Sequence, residues 1–361
     1  MTAAPSPIRE IPLVDAGRSG ALGLYEAASG EVISLIVGAL GAHKLLGLAA
    51  PLGDRMSRRW LEQHDNPYLG EIAAVARAVG VPGVYLLNIV YEWACSTSVG
   101  PAPEGPGNCM IRVLDWGLPG IGKHLVIGRH ASDHGAYLNV TWPGYAGVLT
   151  AMAPGRFAAA INQAPRQAPT GLRWLDEAIV HLAMYRRPGT IPAAHLLRKV
   201  FEEAPDYATA LAMLSEGAYE LAMPAIFTLT GTAAEEGAIV EAIGRKRIVT
   251  RADPAQGGII GAANDWLTPG LPGAARDNAL AWSTNATVEA NNAERRETVC
   301  RLQLRPFAGV ADLKPPVLNG HTVLVASANA AAGTLEVEAL DQGGDRLSLP
   351  RVVARRRVAA A

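Results

Sequence analysis

The spacing of apolar residues along the chain changes from a helical period to a strand-like one. Between Gly20 and Leu52 apolar residues recur every three or four positions, which predicts a helix. A short charged helix is predicted over Met56–His64. A further amphipathic helix is predicted over Leu69–Val79, closed by Gly80, because glycine readily ends a helix in the left-handed conformation. Except for a proline-rich, irregular start with room for one short strand, the first quarter of the chain is therefore predicted to be helical.

Beyond Cys95 the apolar stretches become short and are bounded by glycine or proline, which predicts strands. The first predicted strands are Met110–Leu114, His124–Arg129, Ala136–Val140, Gly147–Ala153 and Phe157–Asn162. Predicted helices follow at Leu172–Met184, Ala193–Glu203 and Ala208–Leu214, then strands at Ala225–Gly231, Gly237–Ile243, Arg247–Ala252 and Gly257–Ala262. A helix over Ala293–Leu304 and strands over His321–Ala326 and Thr334–Leu340 complete the prediction. Because runs of helices and strands are segregated, the order favours an α+β fold with two sheets between helical layers.

Composition narrows the class of protein. The 361 residues are 49% hydrophobic and 18% charged, with a net charge of −1, which argues against a nucleic-acid partner. Three cysteines give no disulfide framework and suit a reducing compartment. The start of the chain lacks a signal-peptide pattern, and the apolar run over Val32–Leu52 is interrupted by glycine, histidine, lysine and proline. We therefore expect a cytoplasmic protein without stable membrane insertion, and leave a homo-oligomer open.

Cys95 is the first candidate for chemistry. It begins the small, hydroxyl-rich run Cys95–Val99, which we predict to be a turn, and Arg112 and Asp115 follow at a distance that a tight hairpin could fold back. A thiol needs a base to become a strong nucleophile. No histidine is close in sequence, but the α-amino group of the cysteine itself titrates at roughly pH 7.7 to 8.0 and would exist if the Ala94–Cys95 bond were cut. The alternative is that Cys95 is a buried, inert residue.

These residues carry a resemblance to a known family. The run Glu71–Val81, the segments Leu86-Leu87-Asn88 and Tyr91-Glu92, Cys95-Ser-Thr-Ser-Val and Arg112-Val-Leu-Asp115 resemble the acid ceramidase and N-acylethanolamine acid amidase family. That family lies within the cholylglycine hydrolase and penicillin V acylase superfamily of N-terminal nucleophile hydrolases. The resemblance extends loosely from Glu71 to Leu304. It implies a four-layer αββα sandwich and self-cleavage before Cys95, giving a helical segment 1–94 and a core 95–361.

The resemblance also implies an activity and the residues that perform it. The activity is hydrolysis of a small linear N-acyl amide, without a cofactor or metal. Cys95 would be the nucleophile, and Asp115 would accept a hydrogen bond from its freed amine. Arg112 would lie beside the thiol and favour the thiolate. Asn264, in Gly-Ala-Ala-Asn264-Asp-Trp, would face the oxyanion, and Arg295 would take the place of the family's second arginine.

The chain also departs from the family pattern. One serine is added after Cys95, and Ile111 and Val113 flank Arg112 where the family has glycine and asparagine. Asn162-Gln163-Ala164 stands where ceramidase-like members carry Asn-Glu-Arg. Asn285, which follows a threonine, is a rival for the oxyanion role. These departures keep two alternative functions open: an acyltransferase of the same fold, and a binding protein that neither cleaves itself nor catalyses.

Other residues admit both a functional and a structural interpretation. Arg112 and Asp115 could form a surface ion pair, and Cys109 could be an alternative nucleophile. A metal could bind the histidines and aspartate in His124–His134, although such scattered residues are more often solvated. Gly117–Lys123 has the spacing of a phosphate loop, but a glycine-rich hairpin turn is favoured because a strand follows. Trp142, Trp174 and Tyr185 could line an acyl pocket or pack in the core.

Overall fold

The computed structural model describes residues 7–30, 44–89, 93–118, 120–167, 170–172, 175–176, 179–180, 182, 189–276, 280–342 and 348–359. Strands dominate these ranges. In chain order they are β1 (Arg9–Glu10), β2 (Leu13–Gly17), β3 (Trp93–Pro101), β4 (Asn108–Trp116), β5 (Val126–Ser132), β6 (Gly135–Thr141), β7 (Thr150–Ala153), β8 (Phe157–Gln163), β9 (Thr190–Ile191), β10 (Glu220–Leu221), β11 (Ala225–Thr230), β12 (Gly237–Ile243), β13 (Lys246–Arg251), β14 (Ile260–Ala262), β15 (Thr322–Asn329), β16 (Thr334–Asp341) and β17 (Arg351–Ala359).

The α-helices fall mainly before the first long strand and between the two strand runs. They are α1 (Gly20–Ala27), α2 (Lys44–Gln63), α3 (Leu69–Val79), α4 (Val84–Leu87), α5 (Ala193–Glu203), α6 (Tyr207–Ser215) and α7 (Val288–Leu302). The bounds of α3 and α5 are those predicted from the sequence. The separate helix predicted over Met56–His64 is wrong, because α2 runs unbroken through Pro51 to Gln63. Residues 31–43 and most of the helix predicted over Leu172–Met184 lie outside the described residues.

Two large sheets form the centre of the fold. The first has the order β1-β17-β16-β15-β4-β3-β14, and the second has the order β13-β12-β11-β8-β7-β6-β5-β2. Apolar side chains from both sheets share the largest buried cluster, so the sheets face each other. Helices α5 and α6 pack on the second sheet, and α7 packs on β3 and β14 of the first. The predicted α+β fold, with two sheets between helical layers in an αββα order, is confirmed.

The hairpin of β3 and β4 determines where the candidate site lies. Its antiparallel register places Cys95 opposite Leu114, Thr97 opposite Arg112 and Ala94 opposite Asp115. The predicted turn at Cys95 is therefore wrong, because Cys95 lies inside a strand. Residues 93–100 of β3 are all buried, with the core on one face and α7 on the other, so the strand lacks the apolar–polar alternation of a half-exposed strand.

The chain before Cys95 contributes to both sheets as well as to the helical layers. Strand β1 pairs in parallel with β17 at the edge of the first sheet, and β2 pairs in parallel with β5 at the edge of the second. The N-terminal segment is therefore built into the core that follows it. Among the described residues, no helix is both long and apolar enough to cross a membrane.

Candidate active site

Cys95 lies in the middle of a buried hydrogen-bonded group. Its backbone N–H donates to Oδ1 of Asn264 at 2.7 Å, and its thiol lies 3.6 Å from the carbonyl oxygen of Ile161 on β8. Cys95, Arg112, Asp115, Asn264 and Arg295 are each at most 1% exposed. The structure therefore brings all five residues singled out in the sequence into one buried region.

Arg112 occupies the thiol side of the site. Because side chains alternate along a strand, Arg112 on β4 points between the sheets, on the same side as the Cys95 side chain. Its positive charge acts on the nearby Cys95 thiol and lowers the pKa of that thiol. Nη1 donates to the Thr97 hydroxyl at 2.9 Å and to Asn162 Oδ1 at 2.6 Å, while Nη2 donates to the Ile161 carbonyl at 2.7 Å. Arg112 is thus bonded to both sheets.

Asp115 lies on the opposite face of β4, three residues further on. Its Oδ2 accepts from Arg295 Nη2 of α7 at 2.7 Å and from Asn319 Nδ2 at 2.9 Å, and its Oδ1 accepts from the Thr322 hydroxyl at 2.8 Å. The surface ion pair considered between Arg112 and Asp115 is wrong, because both are buried and Asp115 pairs with Arg295 instead. Asp115 thus approaches Cys95 from the backbone side and Arg112 from the thiol side.

Asn264 joins these two sides. It follows β14, the strand paired with β3, and its Oδ1 accepts from both the Cys95 amide and Arg295 Nη1, the latter at 3.2 Å. Its Nδ2 donates to the Gln163 carbonyl at 2.8 Å, and its own backbone N–H donates to Asn292 Oδ1 at 2.9 Å. A continuous chain of contacts thus runs from the Cys95 nitrogen through Asn264 and Arg295 to Asp115.

The charged groups around the Cys95 thiol shift its pKa in opposite directions. Burial raises the pKa of the Cys95 thiol above its usual value, because a thiolate is poorly solvated there. Arg112 and Arg295 pull this pKa down, and Asp115 pushes it up. Burial likewise lowers the pKa of the Arg112 guanidinium, while the nearby cysteine acts in the opposite direction. Burial therefore favours the neutral thiol, whereas the two arginines favour the thiolate.

The rival residues lie elsewhere. Asn285 donates to Ser283 and Glu294 near the start of α7, and its hydrogen bonds do not include Cys95. The sulfur of Cys109 lies 4.0 Å from the Ser327 hydroxyl, and burial raises the pKa of this thiol to about 11. Among the described residues no group of three or more His, Cys, Asp and Glu side chains is placed to hold a metal ion.

Two other sequence features have structural roles. Lys123, at the end of the glycine-rich Gly117–Lys123 segment, forms an ion pair with Asp341 at 2.6 Å. The hairpin turn predicted there is wrong, because the segment connects β4 of the first sheet to β5 of the second. Trp142 is buried edge-on against Trp116 and donates to the Ile121 carbonyl, so it packs in the core. Trp174 and Tyr185 lie outside the described residues.

Several residues at the site were not identified from the sequence as candidates. Thr97 and Asn162 bind the Arg112 guanidinium, Asn319 and Thr322 bind the Asp115 carboxylate, and Asn292 binds the backbone of Asn264. Two signals were available. Alternation along β3 places Thr97 on the same face as Cys95, two residues away, and Asn162 matches the asparagine of the Asn-Glu-Arg run in the resembling family. The others come from distant elements and have no local pattern.

No family model and no curated protein matches the sequence. Among solved structures, an N-acylethanolamine-hydrolyzing acid amidase (NAAA) ortholog from Caenorhabditis elegans matches with 18% identity and a TM-score of 0.47, over 66% of this chain and 93% of that one. A mutant of the conjugated bile acid hydrolase from Clostridium perfringens matches with 10% identity and a TM-score of 0.39, over 68% and 89%. Identities and TM-scores this low carry no information about the function of this chain.

Proposed function

We propose that this protein is a cysteine N-terminal nucleophile amidase that cuts itself before Cys95 and then hydrolyses a linear N-acyl amide. The observation that carries the proposal is the buried set in which Asn264 Oδ1 accepts from the Cys95 nitrogen at 2.7 Å, while Arg112 lies on the same face of the hairpin as the Cys95 thiol. The nitrogen that self-cleavage would free already has an acceptor, and the sulfur already has a cation. A purely structural cysteine requires neither.

Self-cleavage would begin with the Cys95 sulfur attacking the carbonyl carbon of Ala94. The carbon–nitrogen bond breaks, the nitrogen takes up the thiol proton, and a thioester joins Ala94 to the sulfur. Water then hydrolyses the thioester, which leaves a carboxylate on Ala94 and a free thiol and amine on Cys95. The freed amine would lie 2.7 Å from Asn264 Oδ1 if the nitrogen stays in place.

In each catalytic cycle the freed amine would accept the thiol proton, because its pKa of roughly 7.7 to 8.0 suits a base near neutrality. The thiolate attacks the substrate carbonyl, and the amine of the substrate leaves with a proton. Water then releases the acid from the thioester on Cys95. Arg112 and Arg295 favour the thiolate, since both lower the pKa of the Cys95 thiol. The oxyanion role of Asn264 requires its Nδ2, which donates to the Gln163 carbonyl in the uncut chain.

The first experiment is a time course of the purified chain, followed by denaturing gel and intact mass. We expect two pieces, the second beginning at Cys95, and turnover of at least one N-acyl amide from a panel of fatty-acyl, bile-acyl and phenoxyacetyl amides. Cys95→Ala should remain uncut and inactive. Cys109→Ala is the matched control, because it removes a thiol on the neighbouring strand whose pKa is not affected by any arginine or lysine among the described residues. A chain that stays full-length and turns over no amide contradicts the proposal.

One observation favours the alternative of a protein that does not cut itself. Burial raises the pKa of the Cys95 thiol in the uncut chain, and residues 93–95 are at most 1% exposed. Iodoacetamide near pH 7 separates the two cases, because a buried neutral thiol is inert and an activated one is alkylated. If water is replaced by an added amine as the acyl acceptor, the products identify an acyltransferase.

A further inference from the structure

The side chain of Asn162 connects the two sheets at the candidate site. Asn162 lies on β8 of the second sheet and is fully buried. Its Oδ1 accepts from Arg112 Nη1 and from the Thr97 hydroxyl, both at 2.6 Å. Its Nδ2 donates to the carbonyls of Ala262 and Ala263 at 3.0 and 3.1 Å. These four bonds use both acceptor positions and both donor hydrogens of an amide, so the orientation of the side chain is fixed.

The first consequence concerns Arg112. Its Nη1 atom is held by two acceptors, Asn162 and Thr97, which come from different sheets. Asn162 is a neutral acceptor, so it fixes the guanidinium without neutralising it. A carboxylate at the same position would form an ion pair with Arg112 and reduce the positive potential that the arginine exerts on the Cys95 thiol.

The second consequence concerns Asn264. The carbonyls that Asn162 binds belong to the two residues immediately before Asn264, where β14 ends. The same amide therefore holds the strand end whose side chain accepts from the Cys95 nitrogen. One residue of the second sheet thus fixes both the group beside the sulfur and the group beside the nitrogen.

We infer that Asn162 is a positioning residue, which orients Arg112 against the Cys95 thiol as a neutral acceptor and fixes the strand end that carries Asn264. This inference rests on the proposed function, because its measured quantity is the rate of self-cleavage. It goes beyond that function because it assigns a role to a residue whose described hydrogen bonds reach neither the scissile bond nor the sulfur.

The test is the pH dependence of self-cleavage, followed by intact mass in the wild type and in Asn162→Asp. The added carboxylate counteracts Arg112 and raises the pKa of the Cys95 thiol, so the rate profile should move to higher pH. A shift of about one pH unit corresponds to a rate about tenfold lower on the acidic limb of the profile. A substitution that only disturbed the packing would lower the rate without moving the profile.

Two variants on β3 separate geometry from charge. Thr97→Val removes a hydroxyl from the same network without adding charge, so the rate should fall about two- to tenfold with the profile in place. Thr97→Ser restores the hydroxyl and should recover the rate. Ser98→Ala is the matched control, because the Ser98 hydroxyl is equally buried but donates to Val299 of α7 on the other face of the strand. Its rate and its profile should equal those of the wild type.

Each outcome decides between the two proposals. Suppose that the wild type cuts itself. If the Asn162→Asp profile then overlays that of the wild type, or if the Ser98→Ala profile shifts by the same amount, the role of Asn162 is overturned and the proposed function stays intact. A wild type that never cuts itself overturns both. If Asn162→Asp does not fold, as judged by circular dichroism, Thr97→Val decides: a rate equal to the wild type overturns the inference, and a lower rate restored by Thr97→Ser supports it.

Discussion

Two buried ion pairs of similar geometry lie in different parts of the molecule. Asp115 and Arg295 are 2.7 Å apart with fully buried side chains, and Glu71 and Arg198 are 2.8 Å apart with side chains that are 16% and 6% exposed. The first pair lies wholly in residues 95–361. The second joins α3, before the predicted cleavage point, to α5, after it.

The neighbours of the two pairs differ in kind. Asp115 and Arg295 extend through Asn264 to the nitrogen of Cys95. Arg198 also binds Glu202 at 2.8 Å and the carbonyl of Ala146, and it lies 4.0 Å over the ring of Tyr68. These contacts hold helices and a loop together. The role of a buried ion pair therefore depends on the groups that its other hydrogen bonds contact. Breaking the first pair should affect the Cys95 site, whereas breaking the second should affect stability.

The largest effect is expected from Arg295→Met. The change leaves Asp115 buried without its cation, which costs about 3 to 5 kcal/mol of unfolding free energy. It also removes a donor to Asn264, so self-cleavage should be lost or slowed more than tenfold. A tenfold slower rate corresponds to an increase of about 1.4 kcal/mol in activation free energy. Chemical denaturation and intact mass measure the two quantities. Arg296→Met removes the same charge one position along α7, and equal losses in both variants would contradict the assignment.

Glu71→Gln should break the second pair and affect stability alone. The amide can still accept from the Ala21 amide, but Arg198 loses one of its two carboxylate partners. We expect a loss of about 3 kcal/mol in unfolding free energy with an unchanged rate of self-cleavage. The control is Glu62→Gln, which breaks an exposed pair with Arg58 and should cost about 0.5 kcal/mol or less. A large fall in the self-cleavage rate of folded Glu71→Gln would remove the distinction between the pairs.

The helices and strands differ in how well the sequence predicts their bounds. Helices α3 and α5 were predicted with their observed bounds, because each has a local apolar period. Helix α7 begins at Val288 rather than Ala293, since the Thr287 hydroxyl accepts from the Ala290 amide and caps an earlier turn. Strand β17 was not predicted, because its three consecutive arginines hide the alternation, and pairing with β16 defines it instead.

The residues of the candidate site also fall into a group that the sequence could predict and a group that it could not. Cys95, Arg112 and Asp115 belong to one hairpin, so a motif and a register were enough to bring them together. Arg112 and Asp115 lie on opposite faces of β4 because side chains alternate along a strand. The turn predicted at Cys95 gave no such alternation for the facing residues of β3. Asn162 and Asn319 come from elements 50 or more residues away from the residues they bind. Such contacts are set by the packing of the sheets and leave no periodic signal in the chain.

The effect that is smallest at neutral pH, and grows only in acid, concerns the stability of the region around Arg198. His130 is buried against Tyr137, with ring centroids 4.9 Å apart, and burial together with the charge of Arg198 lowers its pKa to about 3. An unfolded histidine titrates near pH 6.5. The folded pKa is therefore depressed, so this stabilisation is complete above about pH 6.5 and is lost as the pH falls towards 3.

The variant His130→Phe tests this because it preserves the ring stack and cannot be protonated. Between pH 6.5 and 4.5 the wild type should lose about 1.4 kcal/mol of unfolding free energy per pH unit more than the variant. Denaturation at a series of pH values measures the difference. His134→Phe is the control, because the exposed His134 side chain lies in the same β5–β6 hairpin.

If His130→Phe keeps the full pH dependence, protonation of other groups accounts for the acid sensitivity. If the dependence decreases, the region around Arg198 is acid-sensitive for a reason independent of the Cys95 site, since the variant leaves every contact of Asp115 and Arg295 in place.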